Sequence, residues 1–176
     1  FSYQGSFLFG EITMITLRIT TIEDVNALTA IQQNAFLPLY EKYHDAGNPC
    51  LRDERDILCR LNNPKFLYLT ILSDEKIVGG ILYRIKGSTP FVKNLRWGKY
   101  YLGRVYISPE YQNKGIATEA ILQSENFLKK PRKLYVDFPE DLDKNIKCYT
   151  KCGYKDTGKR LEVEPGLILA CFEKRI

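Results

Sequence analysis

Hydrophobic and polar residues alternate with two different periods along this chain, and the changes of period mark out its elements. Ile15 to Thr20 alternates with the period of a strand, and Thr21 followed by Glu23 and Asp24 puts a capping residue and acids where a helix begins. Val25, Leu28, Ile31 and Gln32 then follow helical spacing, which continues through Ala35 and Phe36 and resumes as Leu39 to Tyr43. Pro38, between these two stretches, predicts a kink or break. Gly47-Asn48-Pro49 ends the segment, Asp53 to Leu61 reads as a second helix, and Asn62-Asn63-Pro64 stops that one. Phe66 to Leu72 and Lys76 to Ile85 form a hairpin across Ser73-Asp74-Glu75.

The second half carries a strand from Tyr100 to Ile107, a helix from about Ile116 to Lys129 and a strand from Leu134 to Phe138. A strand, a helix and a strand of these lengths make a βαβ unit with parallel strands. A helix over Asp143 to Cys152, a strand over Asp156 to Glu164, a Pro165-Gly166 turn and a strand over Leu167 to Lys174 complete the chain. The expected fold is mixed α/β (α+β): one domain over residues 14–176, a mainly antiparallel sheet of six to seven strands, and about four helices.

Composition narrows the class. With 176 residues, 44% hydrophobic and 27% charged, the chain suits one soluble domain with a sizeable core. The five cysteines are odd in number and lie in or beside apparent helices and strands, which fits reduced thiols in a cytoplasmic protein rather than a disulfide framework. Cys148 and Cys152 lack further Cys or His ligands, His44 is the only histidine, and no metal is expected. Residues 1–13 precede the only methionine, Met14, and lack the basic start and long apolar run of a signal peptide, so they are expected to be a leader or extension. No run approaches the ~20 apolar residues that span a bilayer, and no membrane partner is expected. The net charge of +5 concentrates in KNLRWGKYYLGR and FLKKPRK. These segments flank residues 112–117 in sequence, which favours steering of an anionic cofactor over nucleic-acid binding.

The chemistry lies in two stretches. In the first, the strand ending at Ile107 feeds a helix through Gln112-Asn113-Lys114-Gly115-Ile116-Ala117. A glycine-containing basic turn at a helix start leaves backbone N–H groups unpaired with the positive end of the helix dipole behind them, an arrangement that binds phosphate or pyrophosphate. In the second, Asn145-Ile146-Lys147-Cys148-Tyr149-Thr150-Lys151-Cys152-Gly153-Tyr154 reads as a two-turn helix closed by Gly153, with Asn145 and Tyr149 on one face. Together the two resemble the GNAT acyltransferase superfamily, whose acyl-CoA loop reads Q/R-x-x-G-x-G/A and whose later helix reads N-x-x-x-x-Y-x-K-x-G-F. The present chain shortens the Asn-to-Tyr spacing by one and has Tyr154 in place of the phenylalanine.

The resemblance extends over residues 14 to 174 and implies splayed central parallel strands, with acetyl-CoA as co-substrate. It implies that the pantetheine arm pairs with the backbone of Val105 and Ile107 as an added strand, the side chains of both being core. The pyrophosphate is then held by the N–H groups of Gln112, Asn113, Lys114, Gly115, Ile116 and Ala117, and Asn145 hydrogen-bonds the arm. Transfer of an acetyl group to an amine develops an oxyanion and expels a thiolate. Tyr149, with an ordinary pKa near ~10 against ~8.5 for a thiol, can hold a proton for the departing sulfur. The other reading of Tyr149 is an amphipathic core tyrosine.

Tyr40, Glu41 and Asp45 lie between the first two helices, where acceptors bind in similar proteins, and supply an aromatic and two acids suited to a cationic amine. Tyr101, Asp137 and Glu140, near the ends of the central strands, are further candidates, and no general base stands out. The expected function is transfer of an acetyl group from acetyl-CoA to a primary amine of a small molecule or peptide, by a monomer or homodimer with no nucleic-acid partner. A catalytically inactive CoA-binding domain and a small basic nucleic-acid-binding domain are the two other readings.

Overall fold

The computed structural model describes residues 13–176, so all but Thr13 of the expected leader lies outside the described residues. The elements are β1 (Ile15–Ile19), α1 (Val25–Tyr43), α2 (Glu54–Leu61), β2 (Phe66–Ser73), β3 (Lys76–Arg84), β4 (Lys99–Ile107), α3 (Ile116–Ser124), β5 (Lys133–Pro139), α4 (Asp143–Lys151), β6 (Lys155–Glu164) and β7 (Leu167–Arg175). Among the described residues seven strands form one sheet in the order β1-β2-β3-β4-β5-β7-β6, in which only β4 and β5 pair in parallel. No described helix is long and apolar enough to cross a membrane, and the five cysteines are free thiols.

The sheet carries helices on both faces, which is why its inner strands read as nearly continuous apolar runs. One face packs against α3 and α4 through residues such as Leu69, Ile81, Leu102, Val136, Ile121 and Tyr149. The other packs against α1 and α2 through Leu28, Ile57, Tyr68, Leu82 and Tyr106. β6, at the edge, is mostly exposed and rich in charge, a composition that discourages pairing with another chain.

Two helices depart from the sequence pattern. α1 runs through Pro38 without a break. The proline removes the donor for the Asn34 carbonyl, but Asn34 and Pro38 are both exposed, so water can serve that oxygen. α3 stops at Ser124, short of the expected Lys129. The Ser124 hydroxyl donates to Ile121 O at 2.7 Å and meets the Tyr83 hydroxyl at 2.8 Å, and a 3₁₀ turn follows before the chain extends at Leu128.

The separation of the central strands has a visible cause. β4 and β5 pair only from Lys99 with Lys133 to Leu102 with Val136. Directly after, β4 bulges: Tyr83 faces Leu102 and Leu82 faces Arg104, leaving Gly103 as the extra residue. Arg104 then donates to Asp56 of α2 at 2.5 Å and to Gln32 of α1 at 3.0 Å, which ties the free half of β4 to the helices on that face. Burial pushes the Asp56 carboxyl up, but Arg104 and Arg60 outweigh it and hold the pKa below the ordinary value, so the anchor is an ion pair at neutral pH. At β1, Arg18 and Thr21 hold buried Asp24 to a pKa of about 2, fixing the start of α1.

Candidate active site

Beyond Leu102 the edge of β4 that faces β5 is unpaired. The Ser108 N–H donates to Val78 O of β3 at 2.7 Å, and strand alternation therefore turns the N–H and C=O of Ile107 and Val105 the other way, into the gap. Both residues also contribute side chains to the core, so each presents only its backbone to the gap. The Ile107 carbonyl accepts from the Gln112 side chain at 2.9 Å.

That bond fastens the loop at the end of the gap. Gln112 N–H donates to Pro109 O at 3.3 Å, so the free donors begin one residue later. The N–H groups of Asn113, Lys114, Gly115, Ile116 and Ala117 have no partner among the described residues. Gly115 precedes α3 with φ +78°, and a Cβ built there meets nothing within 4 Å. The glycine thus supplies a left-handed turn, and its open surroundings leave the donors accessible. Asn113 is also left-handed, at φ 61°, and the Lys114 ammonium lies 5.3 Å from the Tyr111 ring centroid. A cradle of exposed N–H groups at a helix start, with a lysine beside it, fits a pyrophosphate.

α4 lies against β5 at the same gap. Tyr149 is buried, stacks on Phe138 of β5 with centroids 5.0 Å apart, and meets Tyr154 edge-on at 5.7 Å. Its hydroxyl has no hydrogen-bond partner among the described residues. Burial, with Cys148, Cys152, Tyr83 and Asp137 adding to it, raises its pKa above the ordinary tyrosine value, so it keeps its proton at neutral pH. Asn145, one turn earlier, is partly buried with its side-chain amide unbonded among the described residues, and Gly153 closes the helix at φ +91°.

Asp137 follows Val136, the last β5 residue paired to β4. Because Val136 and Phe138 point into the core shared with α3 and α4, alternation directs Asp137 to the face of α1 and α2. The Tyr101 hydroxyl donates to its Oδ2 at 2.7 Å. Burial nevertheless raises the Asp137 pKa above 3.8, with the tyrosine bond opposing it. A proton donor and a carboxylate thus stand on opposite faces of the sheet where the strands part. Glu140, the third candidate of this group, is instead engaged with Arg160 at 2.8 Å.

The end of α1 overhangs the face that carries Asp137. Lys42 reaches Asp141, in the β5–α4 loop, at 2.6 Å, and the Tyr43 hydroxyl donates to the same carboxylate. Tyr40 is partly buried and meets His44 edge-on at 5.7 Å. Glu41 is exposed, whereas Asp45 accepts from Gly47 N at 2.8 Å and so serves its own turn. The Lys42–Tyr43–Asp141 tie gives no signal in the sequence. Its partners lie about a hundred residues apart, and no local pattern joins them.

No curated protein matches the chain. Among solved structures, the PaiA N-acetyltransferase of Thermoplasma acidophilum, in complex with coenzyme A, superposes with a TM-score of 0.68 at 19% identity, covering 93% of this chain and 99% of its own. The microcin C7 self-immunity acetyltransferase MccE, in complex with acetyl-CoA and AMP, gives 0.69 at 19% identity, covering 92% of each chain. AAC(6′)-Ib, with ribostamycin and coenzyme A, gives 0.69 at 13%, covering 92% of this chain and 93% of its own. At these identities the likeness is one of fold. The model of the acetyltransferase (GNAT) family matches residues 27–154, well over half the chain. This chain therefore belongs to the acetyltransferase (GNAT) family.

Proposed function

We infer that the protein transfers an acetyl group from acetyl-CoA directly to a primary amine of a small molecule or peptide. The observation that carries this reading is the parting of β4 and β5, with Tyr149 on one side of the gap and the Tyr101–Asp137 pair on the other. Acetyl-CoA supplies the activated thioester. The donors of residues 113–117 hold its pyrophosphate, Lys114 adds charge, and Gln112 keeps the loop closed on β4. The free edge at Val105 and Ile107 takes the pantetheine arm as an added strand, with Asn145 as a further hydrogen-bonding group.

Within this frame the chain's own groups move the protons. A backbone N–H on the free edge of β4 faces the charge that develops on the acyl oxygen. Tyr149 gives its proton to the departing sulfur, a role that its raised pKa and lack of a competing bond support. Asp137 takes the proton of the amine, since an alkylammonium is mostly charged at neutral pH and must lose one to attack. Tyr101 holds that carboxylate in place. Tyr40 and Glu41 attract a cationic acceptor under the α1 overhang. Asp45 contributes only long-range charge, because its carboxylate serves its turn. A spermidine N-acetyltransferase is a further structural neighbour, which is consistent with an amine acceptor.

The test is chromatographic detection of CoA after incubation with acetyl-CoA and a panel of polyamines, aminoglycosides and peptides with free N-termini. Acceptor-dependent CoA release is expected for at least one class. Release that no amine stimulates counts against the reading.

A further inference from the structure

The end of the sheet opposite the acyl-CoA loop carries a concentration of positive charge that the acetyl-transfer site does not use. The two basic segments flank that loop in sequence, but the fold takes both away from it. β4 climbs toward the loop from Lys99, and the chain then returns along α3 to begin β5 at Lys133, beside that starting point. The Arg132 N–H donates to Gly98 O at 2.8 Å, and a Cβ on Gly98 would meet Lys130 O at 2.5 Å. The steering role expected from sequence proximity is therefore not local to the loop, since a nine-residue strand separates the two by about 30 Å.

At this end no acid occurs between Lys76 and Pro109 or between Asn126 and Val136. Lys86, Lys93, Arg96 and Lys99 are exposed, as are Lys129, Lys130 and Arg132, and none is in an ion pair among the described residues. A cleft of about 500 Å³ opens among them, lined by Lys86, Leu95, Arg96, Trp97 and Lys99. Trp97, the only tryptophan, is 78% exposed at its rim. The indole thus shares one cleft with Lys86, Arg96 and Lys99, so an aromatic face and three of these unpaired cations are presented together.

We propose that this end face binds single-stranded nucleic acid, with a base stacked on Trp97 and the flanking phosphates held by Lys86, Arg96, Lys99 and Arg132. A single strand alternates the two features this cleft answers, a flat ring to stack on the indole and a phosphate for each neighbouring cation. Acetyl transfer and strand binding then occupy opposite ends of one sheet, and a strand on this face leaves the acetyl-CoA site open.

The test uses the full chain and a fluorescein-labelled twelve-nucleotide oligouridine. Stacking should quench the single tryptophan and raise the anisotropy of the label. Each phosphate contact lowers affinity with a log–log salt slope of about −0.7, so four contacts predict a loss of about 50-fold between 50 and 200 mM salt. Arg96→Glu combined with Lys99→Glu should abolish binding, and Trp97→Ala, followed by anisotropy, should weaken it about tenfold. Both variants should bind acetyl-CoA as the wild type does, which shows that they are folded. Three results would each overturn the proposal: no binding at 50 mM salt, affinity unchanged by Trp97→Ala, or binding of heparin or phosphatidylserine vesicles in preference to oligouridine.

Discussion

Tyr149→Phe is expected to lower kcat by about 10²- to 10⁴-fold, the range for loss of a positioned proton donor, while leaving acetyl-CoA affinity within about twofold. The substitution removes one oxygen and keeps the ring stacked on Phe138 and edge-on to Tyr154. No hydrogen bond among the described residues depends on that oxygen, so thermal stability should hardly change. A tyrosine that merely fills the core would give the same stability with undiminished turnover. Steady-state kinetics beside calorimetric titration of the cofactor separates the two roles, and also separates an enzyme from a CoA-binding domain that has no turnover to lose.

Asp137→Asn should cost activity and not stability. A general base contributes about 10²- to 10⁴-fold, and an amide cannot accept the amine proton. The effect on folding runs the other way. Burial raises the folded pKa of Asp137 above 3.8, so its charged form is disfavoured relative to the unfolded chain at neutral pH. That penalty fades as pH falls through the raised value, where the folded state takes up its proton first. An uncharged asparagine escapes it and can still accept the Tyr101 hydroxyl, so the melting temperature near pH 7 should stay level or rise. For the wild type, kcat/KM should fall on the acid side as Asp137 is protonated, at higher pH than an exposed aspartate would set, and the variant should lack that limb. A variant that loses stability and keeps its activity would assign Asp137 a structural role instead.

Local pattern carries much of the fold. β2 and β3 advertise themselves by apolar runs across a polar turn, and α4 by its spacing and Gly153. The loop proposed to hold the pyrophosphate is readable because its features are local: a strand, a glycine with positive φ and a helix start lie within a dozen residues. Helix ends are less so. Pro38 suggests a break, but a proline on the exposed face of α1 leaves only a solvated carbonyl unpaired. α3 ends early because Ser124 turns its hydroxyl back on the backbone and toward Tyr83, a partner distant in sequence.

The proposed acceptor side is hardest to read, since it depends on contacts between distant residues. Tyr101 and Asp137 meet only because β4 and β5 run in register until Leu102. Glu41 and Asp45 lie one helical turn apart, and nothing in that spacing reveals that Asp45 serves a turn while Glu41 faces solvent. The two basic segments are neighbours of the loop in sequence and far from it in space, because α3 doubles back along β4.

The central claim, that residues 113–117 and the free edge of β4 form an acetyl-CoA site, is tested most directly by calorimetric titration with acetyl-CoA of the wild type, Gly115→Ala and Gly115→Glu. Either side chain at φ +78° adds backbone strain of about 1–2 kcal/mol, and neither brings its Cβ within 4 Å of another atom. Only glutamate adds a negative charge among the phosphate donors. Micromolar binding by the wild type, retained in weakened form by alanine and abolished by glutamate, is the predicted result. Equal binding by all three proteins, or none by a folded wild type, would contradict it.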